Sequence, residues 1–150
     1  MPEGCIAVVT GANKGIGFSC AERLCEALGE SATVVLAARN TALGAAAVDE
    51  LKKKGHSCVI FHQLDVSDEE SVDALAAFVS ERGGCDILIN NAGIAFKLSS
   101  PEPFGVQTRQ TIDVNYRGTK RCMERFLPLM KQGGRIVQVS SQSGKVCHLP

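Results

Sequence analysis

The chain has 150 residues and a mass of 15.9 kDa, one domain's worth, long enough to bury a core without a disulfide or metal staple. Lys plus Arg and Asp plus Glu both number 16, so the formal net charge is zero, which excludes a strongly basic nucleic-acid binder and an acidic disordered tail. No apolar run approaches the roughly 20 residues of a membrane helix, and Met-Pro-Glu-Gly-Cys lacks the basic start and apolar stretch of a signal peptide.

Strand and helix signals alternate along the chain. Cys5–Val9 is a short continuous apolar run, the pattern of a buried parallel strand. Ile16, Cys20, Leu24 and Leu28 then recur every fourth residue and predict a helix that stops at Gly29. Val34–Ala38 is a second strand. Leu43, Ala47 and Leu51 mark a second helix, whose end at Lys52-Lys53-Lys54 reads as a solvated turn favoured by the helix dipole rather than a basic patch. Cys58–Leu64 is a third, mixed strand. Ser67 and Glu70 have capping-box spacing ahead of the apolar face Val72, Leu75 and Val79. Ile87–Ile89 is a fourth strand. Phe104 to Met130 predicts a long helix interrupted at Gly118, and Ile136–Val139 a fifth strand.

This order is βαβαβαβαβ, which predicts an α/β fold, a doubly wound parallel sheet of about five strands with helices on both faces. In such a fold the ligand crevice lies at the carboxyl ends of the strands.

The seven cysteines are odd in number and form no C-x-x-C pair. Most sit in apolar runs, where a thiol acts as a small hydrophobe. No zinc site or disulfide framework is expected, and the compartment predicted is reducing, the cytoplasm. Cys147 has only Lys145 as a cationic neighbour, which argues against an activated thiolate. His56, His62 and His148 lack metal-ligand spacing and read as surface or packing residues.

After the first strand comes Thr10-Gly11-Ala12-Asn13-Lys14-Gly15-Ile16-Gly17. Gly11 suits a tight turn, Gly15 a close backbone approach to a pyrophosphate, and Gly17 close packing of helix on strand. The following helix offers its free N–H groups to the anion. A strand before and a helix after are the context that separates a dinucleotide site from an ordinary turn. At the end of the second strand an NAD site usually places Asp or Glu for the ribose 2′-hydroxyl. Here Leu36-Ala37-Ala38-Arg39-Asn40 has no carboxylate, and Arg39 is suited to a 2′-phosphate. Lys14 adds a second cation, so the pair favours NADP(H) over NAD(H), although each alone also fits a solvated surface cation. Asp65 either accepts from an adenine amino group or caps the next helix, for which Ser67 is the better cap.

These motifs resemble the short-chain dehydrogenase/reductase family. Thr10 to Gly17 resembles its cofactor signature, and Asn90-Asn91-Ala92-Gly93 its N-N-A-G motif. Asn115 lies in the long helix as the family's asparagine does, and Gly134 to Ser141 resembles its serine strand. Within the family, Gly93-Ile94-Ala95-Phe96-Lys97 and Phe61-His62-Gln63-Leu64-Asp65 look most like the NADPH-dependent carbonyl reductases. The resemblance implies residues 1–150 as one NADP-binding Rossmann-like domain. It implies hydride transfer from NADPH to a ketone, aldehyde or quinone, with protonation by a tyrosine whose pKa is lowered by a lysine four residues on. It assigns Ser141 to orienting the carbonyl and Asn115 to supporting a proton-relay water. Asn91, Ala92 and Gly93 would line the cofactor.

The family's tyrosine and lysine follow the serine. In this sequence the one tyrosine is Tyr116, which precedes it. Tyr116 and Lys120 have Y-x-x-x-K spacing, but a residue adjacent to Asn115 on a helix points about 100° away, so a packed or interfacial tyrosine is expected. The expectation is therefore a domain truncated at its C-terminal side, with the fifth strand as an exposed edge. By itself it would bind NADPH weakly or not at all and have negligible catalysis. The alternatives are a noncatalytic NADPH-binding module, or a fragment without independent function. A small-molecule carbonyl substrate is the expected partner, with no nucleic acid and no membrane. The polar segment from Lys97 to Pro103 either rims the substrate or merely leads into the long helix.

Overall fold

In the computed structural model, residues 4–141 are described. Five parallel strands form one sheet in the order β3-β2-β1-β4-β5. They are β1 (Ile6–Thr10), β2 (Thr33–Ala38), β3 (Val59–Gln63), β4 (Cys85–Asn90) and β5 (Met130–Gln138). The connecting helices are α1 (Gly15–Leu28), α2 (Thr41–Lys53), α3 (Glu69–Ser80), α4 (Phe104–Ile112) and α5 (Thr119–Phe126). The expected doubly wound α/β architecture is the one found.

All five residues of β1 are buried, as a central strand covered on both faces requires. Alternate residues feed two cores. Ala7, Val9, Val34 and Leu36 pack with Ala21, Cys25, Ala47 and Leu51 of α1 and α2. Ile6, Val8, Val35 and Leu88 pack with Val72, Leu75, Cys122 and Phe126 of α3 and α5. At the amino end of the sheet, Asp86 Oδ2 accepts from Ile6 N at 2.7 Å and from Lys131 Nζ at 2.8 Å, tying β1 and the start of β5 to β4.

The apolar stripes differ from the expected ones. Ile16 is 64% exposed and Leu43 55% exposed. The faces that turn inward are Gly17, Ala21, Cys25 and Leu28 on α1 and Gly44, Ala47, Val48 and Leu51 on α2. Small side chains let each helix lie close to the sheet, and a Cβ on Gly44 would run into the Phe61 ring. The three lysines are not uniformly solvated, because Lys54 pairs with Glu22 at 2.9 Å and Glu50 at 3.2 Å and so joins α2 to α1.

Three further expectations are corrected. Ser67 does not cap α3: Asp68 does, its side chain accepting from Glu70 N, and the helix starts at Glu69. The long helix stays helical through Gly118, by way of a π-helical segment from Asp113 to Gly118, and a 3-10 turn at Leu127–Leu129 then closes it. Gly118 is a packing residue, since a Cβ there would meet Val66 Cγ2 at 2.7 Å. Met130 belongs to β5, which begins six residues before the predicted Ile136. With β4 as its neighbour, β5 forms one edge of the sheet.

Candidate functional site

A cleft of about 450 Å³ opens at the carboxyl ends of β1, β2, β3 and β4. The turn from β1 into α1 makes its floor. Gly11 holds φ +64°, and a Cβ there would lie 2.8 Å from Ala92 Cα, so only glycine fits the turn. Gly15, at φ +58°, has open space above it. Gly17 lies beneath the cleft rather than in its wall: a Cβ would collide with Asn91 Nδ2 and stand 2.7 Å from Gly11 O.

The N-terminus of α1 has no side-chain cap and no acidic residue in its first turn. Its first N–H groups therefore carry the helix's positive end toward the cleft. The starts of α2 and α3 differ, capped by Asn40 and Asp68. Asn13, Lys14 and Ile16 line the cleft beside this terminus, and Arg39 reaches it from the end of β2. Neither Lys14 nor Arg39 makes an ion pair with a described residue.

Asp65 stands in the wall after β3. It does not cap α3. Its Oδ1 accepts from Ser67 N at 2.9 Å and Ser67 Oγ at 2.5 Å, a local turn in which Ser67 is the donor. Oδ2 has no partner among the described residues. The loop is braced from two sides that sequence reasoning missed. Ser71 Oγ accepts from Asp65 N at 2.9 Å and donates to Gln63 Oε1 at 3.1 Å. Arg121 of α5 donates to Val66 O at 2.6 Å. An isolated serine and arginine carry no local signal for either role.

Asn91, Ala92 and Gly93 form the opposite wall. Thr10 Oγ1 accepts from Asn91 N and Ala92 N, each at 3.0 Å. Asn91 Nδ2 donates to Thr10 O at 2.9 Å and Gly11 O at 3.1 Å. These bonds lock the wall to the glycine turn. Leu64, Val66, Ile94 and Val114 complete the lining and were not among the sequence candidates.

Asn115 does not line the cleft. Its Oδ1 accepts from Ile94 N at 2.8 Å and its Nδ2 donates to Ile94 O at 2.9 Å, so its amide anchors the strand of chain leaving Gly93. Ser141 lies exposed just beyond β5. Tyr116 is 64% exposed, so of the packed and interfacial alternatives it is not packed within this chain, and Lys120 pairs with Glu124 at 3.6 Å. The segment from Lys97 to Pro103 is mostly exposed. Cys147 and His148 lie outside the described residues. Among the described residues there is no disulfide, no cluster fit to hold a metal ion, and no helix long and apolar enough to cross a membrane.

A cleft over a glycine turn, at an uncapped helix N-terminus at the carboxyl ends of a doubly wound sheet, is the arrangement of a Rossmann-like fold. The sequence profile of the short chain dehydrogenases matches residues 5–148, and the chain belongs to that family. It is 49% identical over 140 residues to carbonyl reductase (NADPH) 1 of Bos taurus, covering 93% of this chain and 50% of the relative. To carbonyl reductase (NADPH) 3 of Mus musculus it is 46% identical over 140 residues, with the same coverage. The chain thus spans about half the length of the curated relatives it matches. Among solved structures it resembles salutaridine reductase from Papaver somniferum, with a TM-score of 0.86 and 32% identity over 97% of this chain and 60% of that one. Menthone neomenthol reductase from Mentha piperita gives a TM-score of 0.81 at 33% identity over 94% of this chain and 62% of that one.

Proposed function

We propose that this chain carries the NADPH-binding part of a carbonyl reductase. One observation carries the reading: the uncapped N-terminus of α1 opens between two cations, Lys14 and Arg39, that have no ion-pair partner among the described residues. A pyrophosphate is the group such a terminus takes, and a 2′-phosphate the group that explains both cations. The open space over Gly15 leaves room for it. Asp65 Oδ2 is free to accept from an adenine amino group. The names of the mammalian relatives support NADPH over NADH.

Bound there, NADPH would supply a hydride to the carbonyl carbon of a ketone, aldehyde or quinone. The chain's own residues bind and orient. Gly11 and Gly15 admit the phosphates, and the wall from Asn91 to Gly93 confines the cofactor. Ser141 is assigned to the substrate oxygen by the family pattern. The Asn115 amide holds Ile94, so its side chain positions the wall. Tyr116, exposed and absent from the cleft lining, is not assigned as the proton donor. Expressed alone, residues 1–150 are expected to have negligible carbonyl turnover, since a positioned acid contributes about 10²–10⁴-fold.

The test is cofactor binding to the purified chain, followed by fluorescence. NADPH is expected to bind at least about tenfold more tightly than NADH, and the preference is expected to vanish in the K14A/R39A double variant. Equal affinity for the two cofactors in the unaltered chain would overturn the assignment of the 2′-phosphate. No binding of either would mean that residues 1–150 alone do not form a working site.

A further inference from the structure

Asn90 ends β4 with its carboxamide buried and 4% of the residue exposed, yet neither Oδ1 nor Nδ2 has a partner among the described residues. An unpaired buried amide is strongly disfavoured, so a polar group belongs there. Val8 and Leu88 are register partners and face the core built with α3 and α5. Thr10 and Asn90 each follow two residues later, so their side chains emerge side by side on that same face. Thr10 is likewise buried.

The hydrogen-bonding capacity of the pair is half used. Thr10 Oγ1 spends its two lone pairs on Asn91 N and Ala92 N. Its own proton has no acceptor among the described residues, and the Asn90 amide has neither donor nor acceptor engaged.

We propose that Thr10 and Asn90 hold one buried water molecule between β1 and β4. The Asn90 amide does not bond Thr10 directly, and the two side chains project from strands that lie about 4.8 Å apart, a scale that one bridging water can span. The two arms of a primary amide lie side by side, so one water accepts from Nδ2 and donates to Oδ1 while accepting the Thr10 proton. That gives it three hydrogen bonds, the usual number for an internal water. The pair is neutral and has no carboxylate, which selects water over a cation. The bridge turns the Thr10 hydroxyl proton away from Asn91 and Ala92 and leaves its lone pairs to those N–H groups. Asn90 is thereby a positioning residue for the wall of the cleft, and the water site stands whichever dinucleotide the cleft takes.

A high-resolution crystal structure of the unaltered chain is expected to show a water within about 3.2 Å of Thr10 Oγ1 and of the Asn90 amide. A dry site, or a direct bond between the two side chains, would overturn the proposal. The near-isosteric N90L variant gives the second arm, read by amide hydrogen exchange. Loss of the water is expected to speed exchange at Asn91 and Ala92 about tenfold while Val8 and Leu88 keep their protection. The N90L/T10V pair is expected to lose no more protection at those two amides than T10V alone, because T10V already removes the Oγ1 acceptor that the water orients. Additive losses, or a rise in melting temperature with unchanged exchange in N90L, would refute it. If N90L does not fold, the crystal structure of the unaltered chain still decides.

Discussion

Glycine at three positions of the first turn does three different things. Gly11 takes a left-handed conformation against Ala92, Gly15 leaves space open, and Gly17 lets Asn91 and the Gly11 carbonyl approach α1. In a G17A variant the new methyl meets Asn91 Nδ2 and a backbone oxygen, neither of which can yield without breaking the Asn91 bonds to Thr10 and Gly11. The variant is expected to lose more than about tenfold in NADPH affinity, measured by the same fluorescence titration, and about 1–3 kcal/mol in stability. Affinity and stability unchanged from the unaltered chain would contradict this packing. The glycine spacing was legible because each glycine answers to backbone geometry, which is local. The role of Asn115 was only partly legible. Its place beside the site was implied by motif order, but its bonding to Ile94 joins residues 21 apart and needs the fold to be seen.

Helix ends show the same division between local and distant causes. Ser67, Asp68, Glu69 and Glu70 offer competing starts for α3, and Ser67 has the right spacing from Glu70 for a capping box. Asp65 decides the outcome by taking both the N–H and the hydroxyl of Ser67, which leaves Asp68 as the cap. D68A is therefore expected to destabilise the chain by about 1 kcal/mol in urea unfolding, with S67A costing less than half of that. The reverse ranking would restore Ser67 as the cap. The apolar face of α1 was misread for a related reason. A four-residue repeat drifts by about 40° per step on a helix of 3.6 residues per turn, so Ile16 and Leu28 cannot share one buried stripe. Packing close to the sheet favoured the small residues Gly17, Ala21 and Cys25.

Across the whole molecule, the two cores on either side of the sheet account for the cysteines. Cys5, Cys25, Cys58, Cys85 and Cys122 are buried, and Cys20 is partly exposed. Burial pushes the Cys25 and Cys85 thiols up to about 12 and the Cys122 thiol up to about 11. In the unfolded chain these thiols ionise near their ordinary value. Above that value the unfolded state binds fewer protons than the folded one, so stability is complete below about pH 8.5 and declines as pH rises toward 11 and 12. Melting temperature is expected to fall from about pH 9 upward, and replacing Cys85 with Ser would not be a neutral control, because it buries a hydroxyl. Iodoacetamide at neutral pH, with peptide mapping, is expected to modify Cys20 first among these six. Rapid labelling of Cys85 or Cys122 would show that the cores are open in solution.

The sequence by itself determined the alternation of strands and helices, the family, and the glycine turn between β1 and α1. Those features rest on spacing within a few residues, where backbone geometry and side-chain period act directly. Tertiary structure alone decided which wall each residue supports. Thr10 reaches Asn91 across 81 residues, Arg121 reaches Val66 across 55, and the amide of Asn90 is buried beside Thr10. Such partners are set by which strands become neighbours in the sheet, a long-range choice made when the apolar faces are buried together.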